Sequence, residues 1–120
     1  MESCGFVSGK GDMPACHMPM TNVAQSDRFY ELDPAELVEA YGHMDERGED
    51  PVIIYHSHTA THAVPSALDL SLATEPGAHY VIVATGDWFE FRSWRIADGA
   101  ATEEGVIVVD ENDRFDPIRS

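Results

Sequence analysis

The sequence predicts an α+β domain, or a three-layer α/β arrangement, in which helices flank a mixed central sheet. Two observations carry this expectation. Short apolar or alternating runs recur along the 120 residues, and only two stretches among them keep helical spacing between clear start and stop signals. Runs of strands with few helices are the pattern of a layered domain with one core, and no repeat or low-complexity tract interrupts them.

In chain order, Gly5-Phe6-Val7-Ser8 reads as a first strand, ended by the turn-forming Gly9-Lys10-Gly11-Asp12. Cys16 to Asn22 reads as a second strand and Phe29 to Leu32 as a short third. Asp33-Pro34 starts a helix, with Asp33 as N-cap and Pro34 at the first helical position, where its missing N–H is harmless. Leu37, Val38, Tyr41 and Met44 then keep helical spacing until Gly48 stops the run. The unbroken apolar run Val52-Ile53-Ile54-Tyr55 marks a buried strand. Pro65-Ser66 opens a second helix reaching Ala73, and Pro76-Gly77 separates it from the apolar strand His79 to Ala84. Trp88 to Trp94 alternates apolar and polar residues, as a half-exposed strand does, and Val106 to Val109 reads as a last strand. One domain over 1–110 with a frayed tail over 111–120 is expected.

Composition excludes several classes of function. The 22 acidic and 7 basic residues give a net charge of −15, which disfavours binding to a phosphate backbone, so no nucleic-acid partner is expected. The acid clusters in Asp45-Glu46-Arg47-Gly48-Glu49-Asp50, Glu103-Glu104 and Asp110-Glu111-Asp113, read as solvated loops. No stretch approaches the ~20 apolar residues of a membrane span, and no basic-then-apolar leader is present. Cys4 and Cys16 are too few for a disulfide framework and do not share a metal-binding spacing, so both are expected as reduced thiols. A cytoplasmic protein of ordinary apolar content, 43%, is the expectation.

The segment from Tyr55 to Asp69 carries the chemistry. Side chains alternate along a strand, so His56 and His58 point the same way and can grip one ion. Pro65-Ser66 then opens the second helix, and Asp69 falls in its first turn. Two imidazoles and a carboxylate leave the fourth position of a tetrahedral Zn²⁺ for water, the ligand set of a catalytic rather than a structural zinc. Each residue also has a plain reading: a lone His at a strand end is commonly a polar loop neighbour, and Ser-x-x-Asp alone is a helix start. Together they are harder to dismiss. A metallo-β-lactamase site would need Asp-His where Ala60-Thr61 stands, a cupin site would need a Glu before Glu75, and HExxH is absent.

His56-x-His58, seven residues, Ser66, two residues and Asp69 resemble the metal signature of the JAMM (MPN+) metallopeptidases. In that family a Glu lies upstream in a strand leading into a Cys-Gly or similar pair, and Glu2-Ser3-Cys4-Gly5-Phe6-Val7-Ser8-Gly9 is similar to that element. The resemblance runs from Glu2 to the strands around Val81 and Trp94, and it implies a cytidine-deaminase-like three-layer fold. Thr59 stands where the family has Pro, which alters the loop. The family also places a strand and a long helix before its Glu. An upstream segment, or a second copy pairing as a homodimer, is therefore expected to cover the sheet edge and apolar surface otherwise left open.

What the resemblance implies for mechanism follows zinc chemistry. One Zn²⁺ per chain, held by His56, His58 and Asp69, would bring the pKa of its water to about 7. Glu2 would take the water's proton and pass it to the leaving amine. Ser66 would donate to the oxyanion of the tetrahedral intermediate, a bond worth ~3 kcal/mol in the transition state. Thr59 and His62, in the loop between the second His and Ser66, are candidate substrate contacts, whereas His17, His43 and His79 are assigned no role. Cys4 as a nucleophile is the competing reading of that strand, and the zinc signature makes it redundant.

The substrate expectation rests on what is short. Seven residues separate His58 from Ser66, and His79 follows Asp69 by ten positions, which leaves little room for a ubiquitin-gripping insert. The chain therefore is similar to the small stand-alone bacterial members, which act on the C-terminal Gly-Gly tail of ubiquitin-like sulfur-carrier proteins, in some cases releasing cysteine from a carrier–cysteine adduct. Such a tail would lie extended beside the metal, or add as a strand at a sheet edge. The alternative is a non-catalytic MPN-type interaction module that binds metal without turnover.

Overall fold

The computed structural model of the chain describes residues 3–24 and 31–109. They form β1 (Cys4–Lys10), β2 (Met13–Met20), α1 (Pro34–Arg47), β3 (Asp50–His58), α2 (Ala67–Leu72), β4 (His79–Ala84), β5 (Glu90–Ala97) and β6 (Ala100–Glu104). The six strands make one sheet in the order β2-β1-β3-β4-β5-β6. Every pairing is antiparallel except β3 with β4, so the sheet is mixed as the sequence predicts. A parallel pair cannot be joined by a tight hairpin and needs a crossover. Here the crossover is the stretch 59–78 with α2 inside it, and that stretch builds the site.

Strand register sorts the side chains by face. Phe6 lies opposite Ile54, Ile54 opposite Tyr80, and Tyr80 opposite Trp94, which carries one apolar row across four strands. Ile82, Ala84 and Ile96 extend that face, and Ala40 and Met44 of α1 close over it with Leu37, Tyr41 and Leu70 packed alongside. Both helices therefore contribute to one core on one face, an α+β arrangement. Met44 and Ile82 are 1% and 0% exposed; burying an aliphatic side chain of that size contributes about 1.5–3 kcal/mol. α1 begins where its sequence says, with the Asp33 carboxylate accepting from the Ala35 N–H at 2.9 Å, and it ends at Gly48. Its first-turn Glu36 accepts from the Thr21 N–H and hydroxyl at 2.7 and 2.8 Å, tying the helix start to the end of β2.

The sheet departs from the sequence reading at four places. The second strand is Met13–Met20 rather than Cys16 to Asn22, because the hairpin with β1 sets its register; Asn22 only bridges to Leu32. The expected third strand falls partly on residues outside the described ones, and Leu32 makes that single bridge. β5 starts at Glu90, because Trp88 turns out of the strand to stack on the ring of His62. Val106 to Val109 is not a strand: the last strand is Ala100–Glu104, and Ile107 and Val108 stand 87% and 93% exposed. The deciding feature is Asp98-Gly99, both left-handed at φ 53° and 74°, the geometry of a tight turn that folds the chain straight back onto β5.

The acidic clusters are also not all solvated. Glu49 accepts from the buried Ser8 hydroxyl at 2.9 Å, and Glu104 from Ser93 at 2.9 Å and Arg95 at 3.0 Å. Each carboxylate answers donors on the sheet, which sequence clustering alone could not indicate.

Candidate metal centre

Three side chains from two elements converge at the end of β3. His56 and His58 share the core face of the strand, where Cys4 and Ile82 flank His56 and Ala84 flanks His58. Both imidazoles are buried, and so is Asp69 of α2. The Nε2 atoms of His56 and His58 lie 3.1 Å apart, and Asp69 Oδ2 lies 3.3 Å from the first and 3.1 Å from the second. Ligands bound at about 2.0–2.1 Å in a tetrahedral site stand roughly 3.3–3.4 Å from one another. The triangle matches that edge length within a few tenths of an ångström. It is the one such group of His, Cys, Asp or Glu among the described residues. Two buried imidazole nitrogens facing each other and a carboxylate is the donor set a divalent cation satisfies.

The helix start supplies the third corner. Ser66 caps α2 by accepting from the Asp69 N–H at 3.0 Å, while Asp69 Oδ2 accepts from the Ser66 N–H at 2.9 Å. This reciprocal capping box spends the Ser66 oxygen as an acceptor and leaves its hydroxyl proton to donate elsewhere. Burial pushes the Asp69 carboxyl up, but the hydrogen bonds with His56 and His58 and the Ser66 N–H outweigh it, and the group is held well below the usual carboxylate range. It is therefore an anion at neutral pH, as a metal ligand must be.

The loop 59–65 is pinned from three sides. His58 Nδ1 donates to the His62 carbonyl at 2.8 Å and lies 3.0 Å from Thr61 Oγ1, which fixes the tautomer that leaves Nε2 free to coordinate. Glu90 of β5 accepts from the Ala63 N–H at 2.9 Å and from His62 Nδ1 at 3.1 Å. Trp94 Nε1 donates to the Ala63 carbonyl at 3.0 Å. The Thr85 N–H donates to the His58 carbonyl at 2.9 Å, and next to it the Gly86 backbone comes so near Thr59 that a Cβ there would stand 2.7 Å from its carbonyl oxygen.

Of the residues singled out in the sequence, the structure brings His56, His58, Asp69 and Ser66 together. Glu2 lies outside the described residues. The next residues lead toward the site, since the Ser57 N–H donates to the Ser3 carbonyl at 2.9 Å and Cys4 pairs with His56. His62 presents its side chain to solvent, stacked on Trp88 with ring centroids 4.6 Å apart, and Thr59 begins the loop. His17, His43 and His79 are elsewhere, on Tyr55, Glu39 and Glu104 respectively. Sequence reasoning missed Glu90, Trp94 and Gly86. Nothing local to those positions signals the loop they hold, because the contacts span 27 to 31 residues.

Known proteins resemble the chain over most of its length. The family described as prokaryotic homologs of the JAB domain matches residues 1–97. A CysO-cysteine peptidase of Mycobacterium tuberculosis is 52% identical over 114 residues, which is 92% of this chain and 78% of its own length. A desampylase of Haloferax volcanii is 39% identical over 110 residues, 80% of this chain and 77% of its own length. A solution structure of a Desulfitobacterium hafniense protein superposes with a TM-score of 0.71 at 31% identity, covering 92% of this chain and 80% of that one.

Proposed function

The chain belongs to the family of prokaryotic JAB-domain homologues and is a hydrolase, and we propose that it cleaves the amide or isopeptide bond after the C-terminal Gly-Gly of a ubiquitin-like sulfur-carrier protein. Its substrate in this reading is a carrier–cysteine adduct, and its product is free cysteine. The observation that carries the reading is the buried triangle of His56, His58 and Asp69 with Ser66 at its edge. The resemblance to a CysO-cysteine peptidase supports the choice of substrate. Residence in the cytoplasm is part of the proposal.

In this reading the metal is Zn²⁺, one per chain, and when bound it supplies Lewis acidity toward the scissile carbonyl and a water activated near neutral pH. His56 and His58 offer their Nε2 lone pairs, with the His58 tautomer held by the His62 carbonyl. Asp69 supplies the anionic corner. Ser66 donates its hydroxyl proton to the oxygen that becomes negative as the carbonyl is attacked, while its own oxygen stays on the Asp69 N–H. Glu2 accepts the proton of the attacking water and returns it to the departing amine, so the carrier leaves as a free carboxylate. His62 and Thr59, at the rim of the loop, contact the extended tail.

A second reading, removal of a ubiquitin-like modifier from a lysine, is favoured by the resemblance to a desampylase. Both readings share the site and differ in the leaving amine. The test is incubation of zinc-loaded and chelator-stripped protein with a carrier–cysteine adduct and with a carrier–lysine conjugate, followed by intact mass. Loss of cysteine from the first with the metal-loaded protein alone is the expected result. Cleavage of the lysine conjugate alone would move the assignment to the second reading, and unchanged masses for both would overturn the proposal.

A further inference from the structure

We propose that Glu90 is a positioning residue of the metal centre, setting the orientation of His58 through the His62–Ala63 peptide unit; this rests on the reading that His56, His58 and Asp69 hold a divalent metal. The geometry is a relay in which one peptide bond is hydrogen-bonded at both ends. Its N–H, on Ala63, donates to Glu90 Oε1 at 2.9 Å. Its carbonyl, on His62, accepts from His58 Nδ1 at 2.8 Å. The other nitrogen of that imidazole, Nε2, is the one that faces His56 and Asp69.

Carboxylate partners of metal-bound histidines fix the ring and its tautomer and raise its basicity, normally by direct contact. Direct contact is out of reach here. His58 lies on β3 and Glu90 on β5, with Ala84 of β4 paired to both. Ala84 and Ala63 are both fully buried, small enough for the loop to close onto the sheet at that point. The loop peptide then spans the gap that a second-strand carboxylate cannot cross. An ionised acceptor strengthens the bond it takes, and a peptide polarised at its N–H becomes a better acceptor at its carbonyl. The Ala63 N–H, together with His62 and Arg92, keeps Glu90 below its ordinary pKa despite partial burial, so the anion is present throughout the neutral range. The His62 carbonyl also takes the Val64 N–H at 2.8 Å, which leaves its direction well determined.

A simple loop anchor would explain the same bond to Ala63, and Trp94 provides the control. Its indole holds the Ala63 carbonyl, so it anchors the next peptide of the same loop without taking the bond between Glu90 and the Ala63 N–H. The experiment compares Glu90→Ala, Glu90→Gln and Trp94→Phe in the full chain, by zinc affinity in chelator competition and by the visible spectrum of the Co²⁺ form. Long-range ¹H–¹⁵N spectra of the metal-free protein read the His58 tautomer. The expected result is a loss of about tenfold or more in zinc affinity for Glu90→Ala, with an altered Co²⁺ spectrum and a mixed His58 tautomer. Glu90→Gln, which still offers an oxygen to the Ala63 N–H, should restore most of the affinity, and Trp94→Phe should keep the wild-type spectrum. Wild-type affinity and spectrum in Glu90→Ala would overturn the relay, as would a Trp94→Phe variant that reproduces Glu90→Ala. Failure of the wild-type chain itself to take up Zn²⁺ or Co²⁺ would instead remove the metal reading, and the relay with it.

Discussion

Replacing Gly86 by Ala tests how tightly the metal loop is seated against the sheet. The new Cβ would meet the Thr59 carbonyl oxygen at 2.7 Å, whereas real Cβ contacts essentially never fall below 3.0 Å and are comfortable from 3.4 Å. The two backbones must therefore part by 0.3–0.7 Å. The neighbouring bond from the Thr85 N–H to the His58 carbonyl, 2.9 Å long, lies directly in the path of that movement. Losing it costs ~1 kcal/mol, and forcing the fit adds roughly 1 kcal/mol or more. Reduced freedom of the unfolded chain returns ~0.5 kcal/mol. The net loss of about 1–2 kcal/mol should lower the melting temperature by roughly 4–8 °C for a chain of this size. Because His58 is the residue being pulled, activity should suffer more than stability; a misplacement of ~0.5 Å corresponds to about a tenfold loss in turnover. Thermal melts and adduct hydrolysis, each at saturating zinc, measure the two effects. A variant that melts within about 1 °C of wild type and turns over normally would show that the loop is not held at Gly86 and that the reasoning is wrong.

Ser66 has a cap role and a chemical role that two substitutions separate. Ser66→Gly should lose only a few tenths of a kcal/mol of stability, because Gly is a tolerated N-cap, yet drop kcat by about 10²–10³; a fully active Ser66→Gly would leave Ser66 as a cap alone. Glu2→Gln should hold zinc at wild-type stoichiometry and lose most turnover, whereas His58→Ala should lose the zinc itself, and elemental analysis with rate measurements distinguishes them. Full zinc in His58→Ala, or normal hydrolysis by Glu2→Gln, would refute the respective role. The metal-free protein should lose stability in acid. The Ser8 hydroxyl, with Arg47, keeps Glu49 below its ordinary pKa, and at Glu104 burial is outweighed by His79, Ser93 and Arg95 with the same net direction. Depressed carboxylates contribute stability that is complete above the unfolded value of about 4.3 and disappears as pH falls through the lower folded values. The melting temperature should hold from neutral pH to about 5 and fall below about 4, less steeply in Glu104→Gln; a flat profile down to pH ~2.5 would contradict it.

What the sequence settled by itself was whatever depends on near neighbours. Alternation along β3 put His56 and His58 on one face, and a cap three residues before a carboxylate put Asp69 in the first turn of α2. Asp33, Pro34 and Gly48 bounded α1 for the same reason, since helix ends are decided by groups within one turn. The tertiary structure alone decided the rest. Whether two imidazoles and a carboxylate meet at 3.1–3.3 Å depends on the crossover between β3 and β4, not on their spacing. Ala100–Glu104 became a strand through the turn at Asp98-Gly99 and pairing with β5, while the more apolar Val106 to Val109 found no partner strand among the described residues. Strand propensity expresses how well a side chain suits a pleated, half-buried surface, and a surface exists only once its neighbours are in place. Glu90 and Gly86 were invisible for the same reason. What they do is defined by a loop that is distant in sequence and reaches them only when the sheet has formed.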